Sequence, residues 1–280
     1  MYTSFSELFK DITSEYVSIY DVNNKKFLYD REGSCECYPA SITKLLNALV
    51  AINYLKEDDL LVVGDELDIC YSSPDPSVAG IKKGQVWKFK DLLYGLFLPS
   101  GNDVAYTIGY NIINRMEKYK DLSVKDKCLK YSALMNRFAK KIGCKSTSFY
   151  TLCGNDHVNN KIVRHVTCTN DLCLILNECL KSNLLVEILS TAHKEILYKD
   201  KNEETLYSFT NTNRLIRKDS EFYNPYVIGG KTGTTNLAGY CLASWAKKDD
   251  KCYIVCLTYA GSSNDRYRDS NKIYDFLFKE

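Results

Sequence analysis

The segments with strand character lie at the two ends of this chain. Near the N-terminus, residues 16–20 and 26–29 flank an Asn-rich turn, as in a β-hairpin. Three more strand candidates and one helical pattern follow towards the C-terminus, at residues 226–232, 240–246, 252–259 and 270–278. Because β-strands must pair, this distribution predicts one antiparallel sheet built from both termini.

The middle of the chain has helical rather than strand character. Between about residues 60 and 217, runs such as 92–98 and 134–139 are typical of helices. No internal repeat or low-complexity linker indicates a second domain, so the sequence predicts a single domain over residues 1–280 with a mostly helical lobe at 60–217. The expected fold class is α/β (α+β), an antiparallel sheet flanked by helices.

Three short motifs follow one another along the chain, and together they indicate a serine acylase. A serine hydroxyl is a poor nucleophile unless a base and oxyanion donors surround it. Here the base is predicted to be lysine. The motifs are Ser41-Ile42-Thr43-Lys44, Ser100-Gly101-Asn102 and Lys231-Thr232-Gly233.

Two of these motifs have second copies, and their context separates them. Ser41 precedes an apolar stretch at 45–55 with helical spacing, and on a helix residues three apart share a face. Ser244 and Lys247 also fit Ser-x-x-Lys, but they lie in a predicted strand, where residues three apart point to opposite faces. The run 262–264 fits only the Ser-x-Asn pattern. The first copies are therefore the candidate site.

The motifs and their flanking residues resemble the serine DD-peptidases among the low-molecular-mass penicillin-binding proteins. Four segments in particular resemble the D-alanyl-D-alanine carboxypeptidase branch of this family. They are residues 38–44, 98–103, 212–215 and 230–242. The resemblance extends over roughly residues 16–278, and it implies a β-lactamase/transpeptidase-like fold.

The resemblance implies a role for each catalytic residue. Ser41 would be the nucleophile and Lys44 its proton acceptor, which requires burial and nearby positive charge to lower the lysine pKa. Ser100 would contact Lys44 and Lys231 and relay a proton to the leaving amine. Asn102 would bind the substrate amide.

The resemblance also implies how substrate binds. Lys231 is also a predicted catalytic residue, and with Thr232 and Thr234 it would bind the terminal carboxylate of a D-Ala-D-Ala stem peptide or the carboxylate of a penicillin. Gly233 would let the substrate backbone lie close along the strand, and Arg266 would assist in binding the carboxylate. Arg268 is the other candidate arginine, and distance to the closing helix favours Arg266. The oxyanion hole would be the backbone N–H groups of Ser41 and Thr234.

The function predicted is that of a serine-type D-Ala-D-Ala carboxypeptidase, inhibited covalently by penicillins and needing no metal or organic cofactor. An endopeptidase acting on cross-linked stem peptides would use the same site. A class A β-lactamase is the first alternative, but the Glu-x-x-Leu-Asn motif does not occur between Asn102 and Lys231, and Gly101 stands where lactamases have Asp. A catalytically idle peptidoglycan- or β-lactam-binding protein is the second.

Charge and hydropathy bear on whether the chain binds nucleic acid or crosses a membrane. The net charge of +2 is spread along the chain and gives no electrostatic case for nucleic acid. No apolar run approaches the ~20 residues of a transmembrane helix, and no signal peptide is evident. The resemblance implies action in the cell envelope, outside the cytoplasm. The sequence alone leaves a cytoplasmic location open.

Cysteine and histidine are expected to be structural. The 12 cysteines include no Cys-x-x-Cys pair, and several lie in apolar runs, which predicts mostly free, buried thiols. A grouping of His165, Cys168 and Cys173 fits no common zinc spacing, so no metal site is predicted. His157, His165 and His193 lack a Ser-His-Asp context and are predicted at polar surface or loop positions.

Overall fold

The computed structural model describes residues 2–72, 76–158, 161–201 and 204–279. The strands are β1 Tyr16–Asp21, β2 Lys26–Arg31, β3 Leu60–Val62, β4 Val86–Lys88, β5 His157–Val158, β6 Lys161–Ile162, β7 His193–Lys199, β8 Glu204–Thr210, β9 Val227–Thr235, β10 Gly239–Lys248 and β11 Lys251–Ala260. The α-helices are α1 Phe5–Leu8, α2 Thr43–Ala51, α3 Glu66–Tyr71, α4 Phe89–Phe97, α5 Asn102–Asn114, α6 Val124–Lys141, α7 Thr169–Cys179, α8 Asn183–Leu189 and α9 Asp265–Leu277.

The central sheet joins the two ends of the chain. Its five strands run in the order β2-β1-β11-β10-β9, and every neighbouring pair is antiparallel. The N-terminal hairpin β1–β2 therefore pairs with the C-terminal strands through β11. This confirms the predicted antiparallel sheet, and it leaves β9 at the edge.

Alternate residues of the central strands enter two separate cores, as the two-residue period of a strand requires. In β10, Leu242 and Ala246 pack on one side, with the helices of the two termini. Ala243 and Trp245 pack on the other side, with residues of helices α2, α5 and α7. Both faces of the sheet are thus covered by helices, and the fold class is confirmed.

The two helical layers differ in origin. On the first face, α9 contributes Ile273 and Tyr274, and the N-terminal segment contributes Leu8. On the second face, α7 packs on β1 and β11, and α2 packs on α7. A buried hydrogen bond of 2.7 Å between Ser18 Oγ and Thr169 Oγ1 fastens α7 to the sheet. Helix α2, which follows Ser41, therefore lies in the helical layer on the second face of the sheet.

Some element predictions were incomplete. Helix α9 begins at Asp265, five positions before the predicted helix, because polar residues fill its first turn. The middle region also holds three two-stranded sheets, β3–β4, β5–β6 and β7–β8, whose strands are too short or too exposed to stand out in the sequence. Across the described ranges, no helix has the length and apolar character needed to cross a bilayer.

Candidate active site

Ser41 lies in a tight turn rather than in a regular α-helix. It is the middle residue of a 3-10 turn, Ala40–Ile42, and α2 begins only at Thr43. Ala40 has a φ of 47°, a left-handed conformation that residues with a side chain rarely adopt. The turn therefore stores backbone strain next to the serine, as often occurs at functional sites.

The Lys44 amine has three hydrogen-bonding neighbours. Its Nζ atom lies 2.7 Å from Ser41 Oγ, 2.7 Å from Asn102 Oδ1 and 3.0 Å from the Cys153 carbonyl oxygen. The amide and carbonyl oxygens accept hydrogen bonds only, so they take two N–H groups. In the neutral amine the remaining position is the lone pair, which then faces the Ser41 hydroxyl. This is the geometry that a general base requires.

Burial favours the neutral form of both active-site lysines. Lys44 is fully buried, and this desolvation lowers its pKa to about 8. Burial also lowers the pKa of Lys231 well below its usual value, and the charges of Lys44 and Arg266 lower it further. The two amines therefore resist carrying a positive charge at the same time, unless an anion joins them.

Ser100 bridges the motif loop to Lys231. Its Oγ atom accepts a 2.8 Å hydrogen bond from Lys231 Nζ, which also donates to the Thr232 carbonyl at 2.9 Å. Ser100 has a φ of 67°, a second strained residue beside the reacting groups. The expected contact between Ser100 and Lys44 is not made, because the three neighbours of Lys44 already occupy its hydrogen-bonding positions.

Asn102 makes a contact that the sequence did not predict. Its side-chain oxygen accepts a 2.7 Å hydrogen bond from Lys44 Nζ. Its Nδ2 group makes no hydrogen bond to any part of the chain that the structure describes. Asn102 is thus both an orienting partner of the lysine and a free donor.

The edge strand β9 brings the third motif against the Ser41 turn. A methyl group at Gly233 would lie 3.1 Å from the Ser41 nitrogen and 2.8 Å from the Pro39 carbonyl oxygen, so only glycine allows this approach. The next residue along, Thr234, carries the other backbone N–H of the expected oxyanion hole. Behind the strand, Thr232 Oγ1 lies 2.6 Å from Thr212 Oγ1.

The structure distinguishes the two candidate arginines. Arg266 is 8% exposed, and its Nη1 group donates to Thr234 Oγ1 at 3.0 Å and to the Gly233 carbonyl at 3.2 Å. Arg268 is exposed and pairs with Asp265 at 3.0 Å. Arg266 therefore lies at the third motif and Arg268 does not.

The histidine predictions hold only in part, because His165 lies in a loop but not at the surface. His165 is completely buried, with its Nε2 atom 2.8 Å from Thr43 Oγ1, one residue away from Lys44. His157 is partly exposed beside Asp156, and His193 is exposed. The polarity of His165 suggested an exposed position, but its ring is buried because backbone groups and a hydroxyl distant in sequence satisfy its hydrogen bonds.

Asn47 and a short segment after α6 are two further site components that the sequence did not reveal. Asn47 interrupts the apolar face of α2 and donates to the Leu152 carbonyl at 3.0 Å and to the Ala105 carbonyl at 3.2 Å. The polar residue within an apolar helix was the available signal. Through Leu152, Asn47 holds the segment whose next residue provides the carbonyl partner of Lys44.

The cysteines follow their prediction. All 12 are free, and ten of them are buried. Burial raises the pKa of most of these thiols, for example to about 12 for Cys37, so they remain protonated at neutral pH. Among the described residues, His, Cys, Asp and Glu side chains form no cluster of three that could hold a metal ion.

Comparison with known proteins places this geometry in a family context. The chain is 28% identical to the D-alanyl-D-alanine carboxypeptidase DacF of Bacillus subtilis over 259 residues, which cover 91% of this chain and 59% of that protein. It is 26% identical to DacC of Escherichia coli, over 92% of this chain and 60% of that protein. The chain thus spans about three fifths of the length of these relatives.

A solved structure has the same fold. The crystal structure of the Streptomyces K15 DD-transpeptidase matches with a TM-score of 0.83 and 23% identity, over 96% of this chain and 98% of that one. The family model described as D-alanyl-D-alanine carboxypeptidase matches residues 3–258. Because that match covers most of the sequence and includes all three motifs, the chain belongs to the D-alanyl-D-alanine carboxypeptidase family.

Proposed function

We propose that the chain is a serine-type D-Ala-D-Ala carboxypeptidase that removes the terminal D-alanine from peptidoglycan stem peptides. The observation that carries the proposal is the orientation of Lys44, whose two acceptor neighbours leave its lone pair for the Ser41 hydroxyl. Family membership supports the substrate class. Activity on peptidoglycan places the proposed site of action outside the cytoplasmic membrane.

Acylation begins when Ser41 Oγ attacks the carbonyl carbon of the penultimate D-alanine and its proton passes to Lys44 Nζ. The backbone N–H groups of Ser41 and Thr234 stabilise the oxyanion, an effect typically worth about 10²–10³ in rate per donor. Once Ser41 Oγ has bonded to the carbonyl carbon, its hydrogen bond to Lys44 is released and Ser100 can approach Lys44. As the intermediate collapses and the C–N bond breaks, the proton that Lys44 took from Ser41 passes through the Ser100 hydroxyl to the leaving nitrogen, so that terminal D-alanine leaves as an amine and Lys44 is neutral again. Water then hydrolyses the Ser41 ester, with Lys44 again taking the proton.

Substrate binding follows from the edge strand and the cations behind it. β9 has an unpaired edge among the described strands, so an extended peptide can add to the sheet there. Arg266, Thr234 and Lys231 converge near the end of this strand and bind the terminal carboxylate. The carboxylate also relieves the repulsion between the two buried lysines, because it favours the proton on Lys231. The free Nδ2 group of Asn102 donates to a substrate carbonyl.

Penicillin is proposed to acylate Ser41 and to remain bound. No carboxylate in the described part of the chain hydrogen-bonds to Ser41 or Lys44. Asp103 is buried nearby, but its oxygens accept from four backbone N–H groups, at residues 79, 80, 81 and 104. A carboxylate of this kind is not free to activate water, which argues against the β-lactamase alternative.

Two measurements on the purified chain test the proposal. We expect stoichiometric covalent labelling by a fluorescent penicillin, and release of D-alanine from a diacyl-L-Lys-D-Ala-D-Ala tripeptide. Labelling without release would favour the idle binding protein. Rapid hydrolysis of nitrocefin would indicate a β-lactamase instead.

An endopeptidase is the second candidate function. Relatives named D-alanyl-D-alanine endopeptidase match as well, for example one from Escherichia coli that is 25% identical over 95% of this chain. The same acylation chemistry applies, with a cross-linked peptide amine as the leaving group. Release of monomers from purified cross-linked dimers would support this activity.

Acylation is expected to accelerate with rising pH. Only neutral Lys44 can accept the Ser41 proton, and burial lowers the pKa of Lys44 to about 8. Below pH 8 the neutral fraction, and with it the penicillin acylation rate, increases about tenfold per pH unit, and it levels off above. Stopped-flow labelling between pH 5.5 and 9.5 checks this. A rate independent of pH over that range would show that Lys44 is not the base.

Arg266→Gln is expected to reduce kcat/KM for the tripeptide by about 10- to 100-fold, because a charged hydrogen bond to the substrate carboxylate contributes about 1.5–3 kcal/mol. Arg268→Gln is the matched control, since Arg268 is exposed, pairs with Asp265 and lies over the Phe222 ring. Steady-state kinetics of both variants make the comparison. Equal losses in the two variants would contradict the assignment of Arg266.

A further inference from the structure

His165 occupies a fully buried position beside the reacting groups, and the proposed mechanism does not use it. The ring stacks on Phe149, with ring centroids 4.6 Å apart and an interplanar angle of 8°. Its Nδ1 atom accepts from the backbone N–H groups of Tyr150 at 3.1 Å and Thr151 at 3.2 Å. Because Nδ1 is an acceptor, the ring proton is on Nε2, which donates to Thr43 Oγ1 at 2.8 Å.

This tautomer completes a chain of hydrogen bonds that ends at the nucleophile turn. With Thr43 Oγ1 accepting from His165, the Thr43 hydroxyl is free to donate to the Ala40 carbonyl at 2.8 Å. Ala40 is the strained residue immediately before Ser41, with a φ of 47°. One side of the imidazole therefore holds the backbone turn that aims the serine.

The other side of the imidazole holds the segment that aims the lysine. Thr151 closes a tight turn by donating to the Asn155 carbonyl at 2.9 Å and accepting from Gly154 N–H at 3.3 Å. Inside this turn, the Cys153 carbonyl is the acceptor that takes one N–H group of Lys44. Gly154 is pressed against the Ser41 turn, since a methyl group there would lie 1.9 Å from the Ala40 carbonyl oxygen.

We propose that His165 is a positioning residue that sets the relative orientation of Ser41 and Lys44, through Thr43 on one side and through the turn 151–155 on the other. The inference rests on the proposed function, since the orientation matters only if the pair performs acylation. The imidazole acts as a neutral link with one donor and one acceptor. Burial, together with the Lys44 charge, lowers the pKa of His165 to about 3, which keeps it neutral.

We call the Nε2 hydrogen bond to Thr43 the Thr43 arm, and the Nδ1 hydrogen bonds from the amides of residues 150 and 151 the turn arm. Substitutions that keep one arm and remove the other separate the two contributions. The Oδ1 atom of Asn corresponds to Nδ1, so His165→Asn keeps the acceptor for the 150–151 amides and loses the Thr43 arm. The side-chain amide of Gln corresponds to Nε2, so His165→Gln keeps the Thr43 arm and loses the turn. His165→Phe keeps the stack on Phe149 and loses both arms. Penicillin acylation rates from pH 5.5 to 9.5 are the readout.

The two arms predict different changes. His165→Asn lowers the plateau rate about tenfold with the midpoint pH unchanged, because only the serine is misaligned. His165→Gln also lowers the rate and moves the midpoint to lower pH, because the Lys44 ammonium loses the Cys153 carbonyl. His165→Phe lowers the acylation rate about 10²-fold, as expected if Ser41 and Lys44 are misplaced by about 1 Å.

Thr43 provides a test that leaves His165 in place. Thr43→Val is expected to lower the plateau acylation rate as much as His165→Asn does, whereas Thr43→Ser, which keeps the hydroxyl, retains the wild-type rate. Because both changes remove the same contact, Thr43→Val should cause no further loss in a His165→Asn background. Asn136→Ala is the structural control, because Asn136 holds Phe149 from α6 and touches neither arm. It lowers the melting temperature with the acylation rate of the folded protein kept within about threefold.

The outcomes distinguish a failure of the proposed role of His165 from a failure of the proposed carboxypeptidase function. If wild-type protein does not label with penicillin, the proposed function fails and the inference falls with it. If wild type labels and folded His165→Phe and Thr43→Val acylate at wild-type rates with the same midpoint, the inference alone is wrong.

Discussion

Ser41→Ala is expected to abolish covalent labelling by penicillin and to reduce D-alanine release by about 10⁴-fold or more, the loss that follows removal of a nucleophile. The reason is chemical, since no other hydroxyl is hydrogen-bonded to Lys44 in the described part of the chain. Labelling followed by gel fluorescence and intact-protein mass spectrometry measures the effect. Circular dichroism checks that the variant remains folded.

The chain provides its own control for this experiment. Ser244 is the serine of the second Ser-x-x-Lys copy; it is buried in β10, where its Oγ atom lies 2.9 Å from the Tyr274 hydroxyl. Ser244→Ala loses that hydrogen bond and some stability, and it retains full labelling. Labelling of Ser41→Ala, or loss of labelling in Ser244→Ala, would refute the assignment of the nucleophile.

The contrast between the two copies shows what sequence spacing can predict. Lys247 is exposed while Ser244 is buried, so the two side chains leave opposite faces of β10, as the period of a strand requires. Ser41 and Lys44 meet because the chain turns helically between them. The same four-residue pattern therefore forms a pair in one context only, and hydropathy periodicity was enough to separate the two contexts.

The sheet was predictable for a related reason. Strands β1, β10 and β11 are buried on both faces or nearly so, and their long apolar runs stand out in the sequence. The hairpin β7–β8 is half exposed, and its alternating polar residues hide it within a region of helices. The exposed strand β2 was revealed by its hairpin turn after β1, whereas nothing comparable marked β7–β8.

Parts of the candidate site were not predictable because they depend on backbone groups and backbone conformation, which no residue type marks in the sequence. The acceptor from Cys153 is a backbone carbonyl, which any residue could provide, so no residue type marks it. The positive φ of Ala40 is imposed by packing against Gly154 and the Thr43 hydroxyl. His165 is a recognisable residue type, but its role depends on neighbours more than ten positions away. Such features require the three-dimensional arrangement.

Lys44→Gln is expected to slow penicillin acylation by about 10³-fold, within the range that general-base catalysis contributes. Gln keeps donors for Asn102 and the Cys153 carbonyl but has no basic lone pair for the Ser41 proton. Lys44→Arg fails equally, because a guanidinium does not release its proton at accessible pH. Stopped-flow labelling measures both variants, and exposed Lys247→Gln, in the second motif copy, retains the wild-type rate.

The pH profile of the residual activity identifies the base. Without Lys44, the rise in rate around pH 8 disappears, and the remaining acylation varies little between pH 6 and 9. Lys231 is the competing base, since burial also lowers its pKa and Ser100 connects it to the site. If Lys44→Gln acylates within tenfold of wild type and keeps the pH midpoint, the proton goes to Lys231 through Ser100. Lys44 would then serve to orient Ser41 instead of deprotonating it.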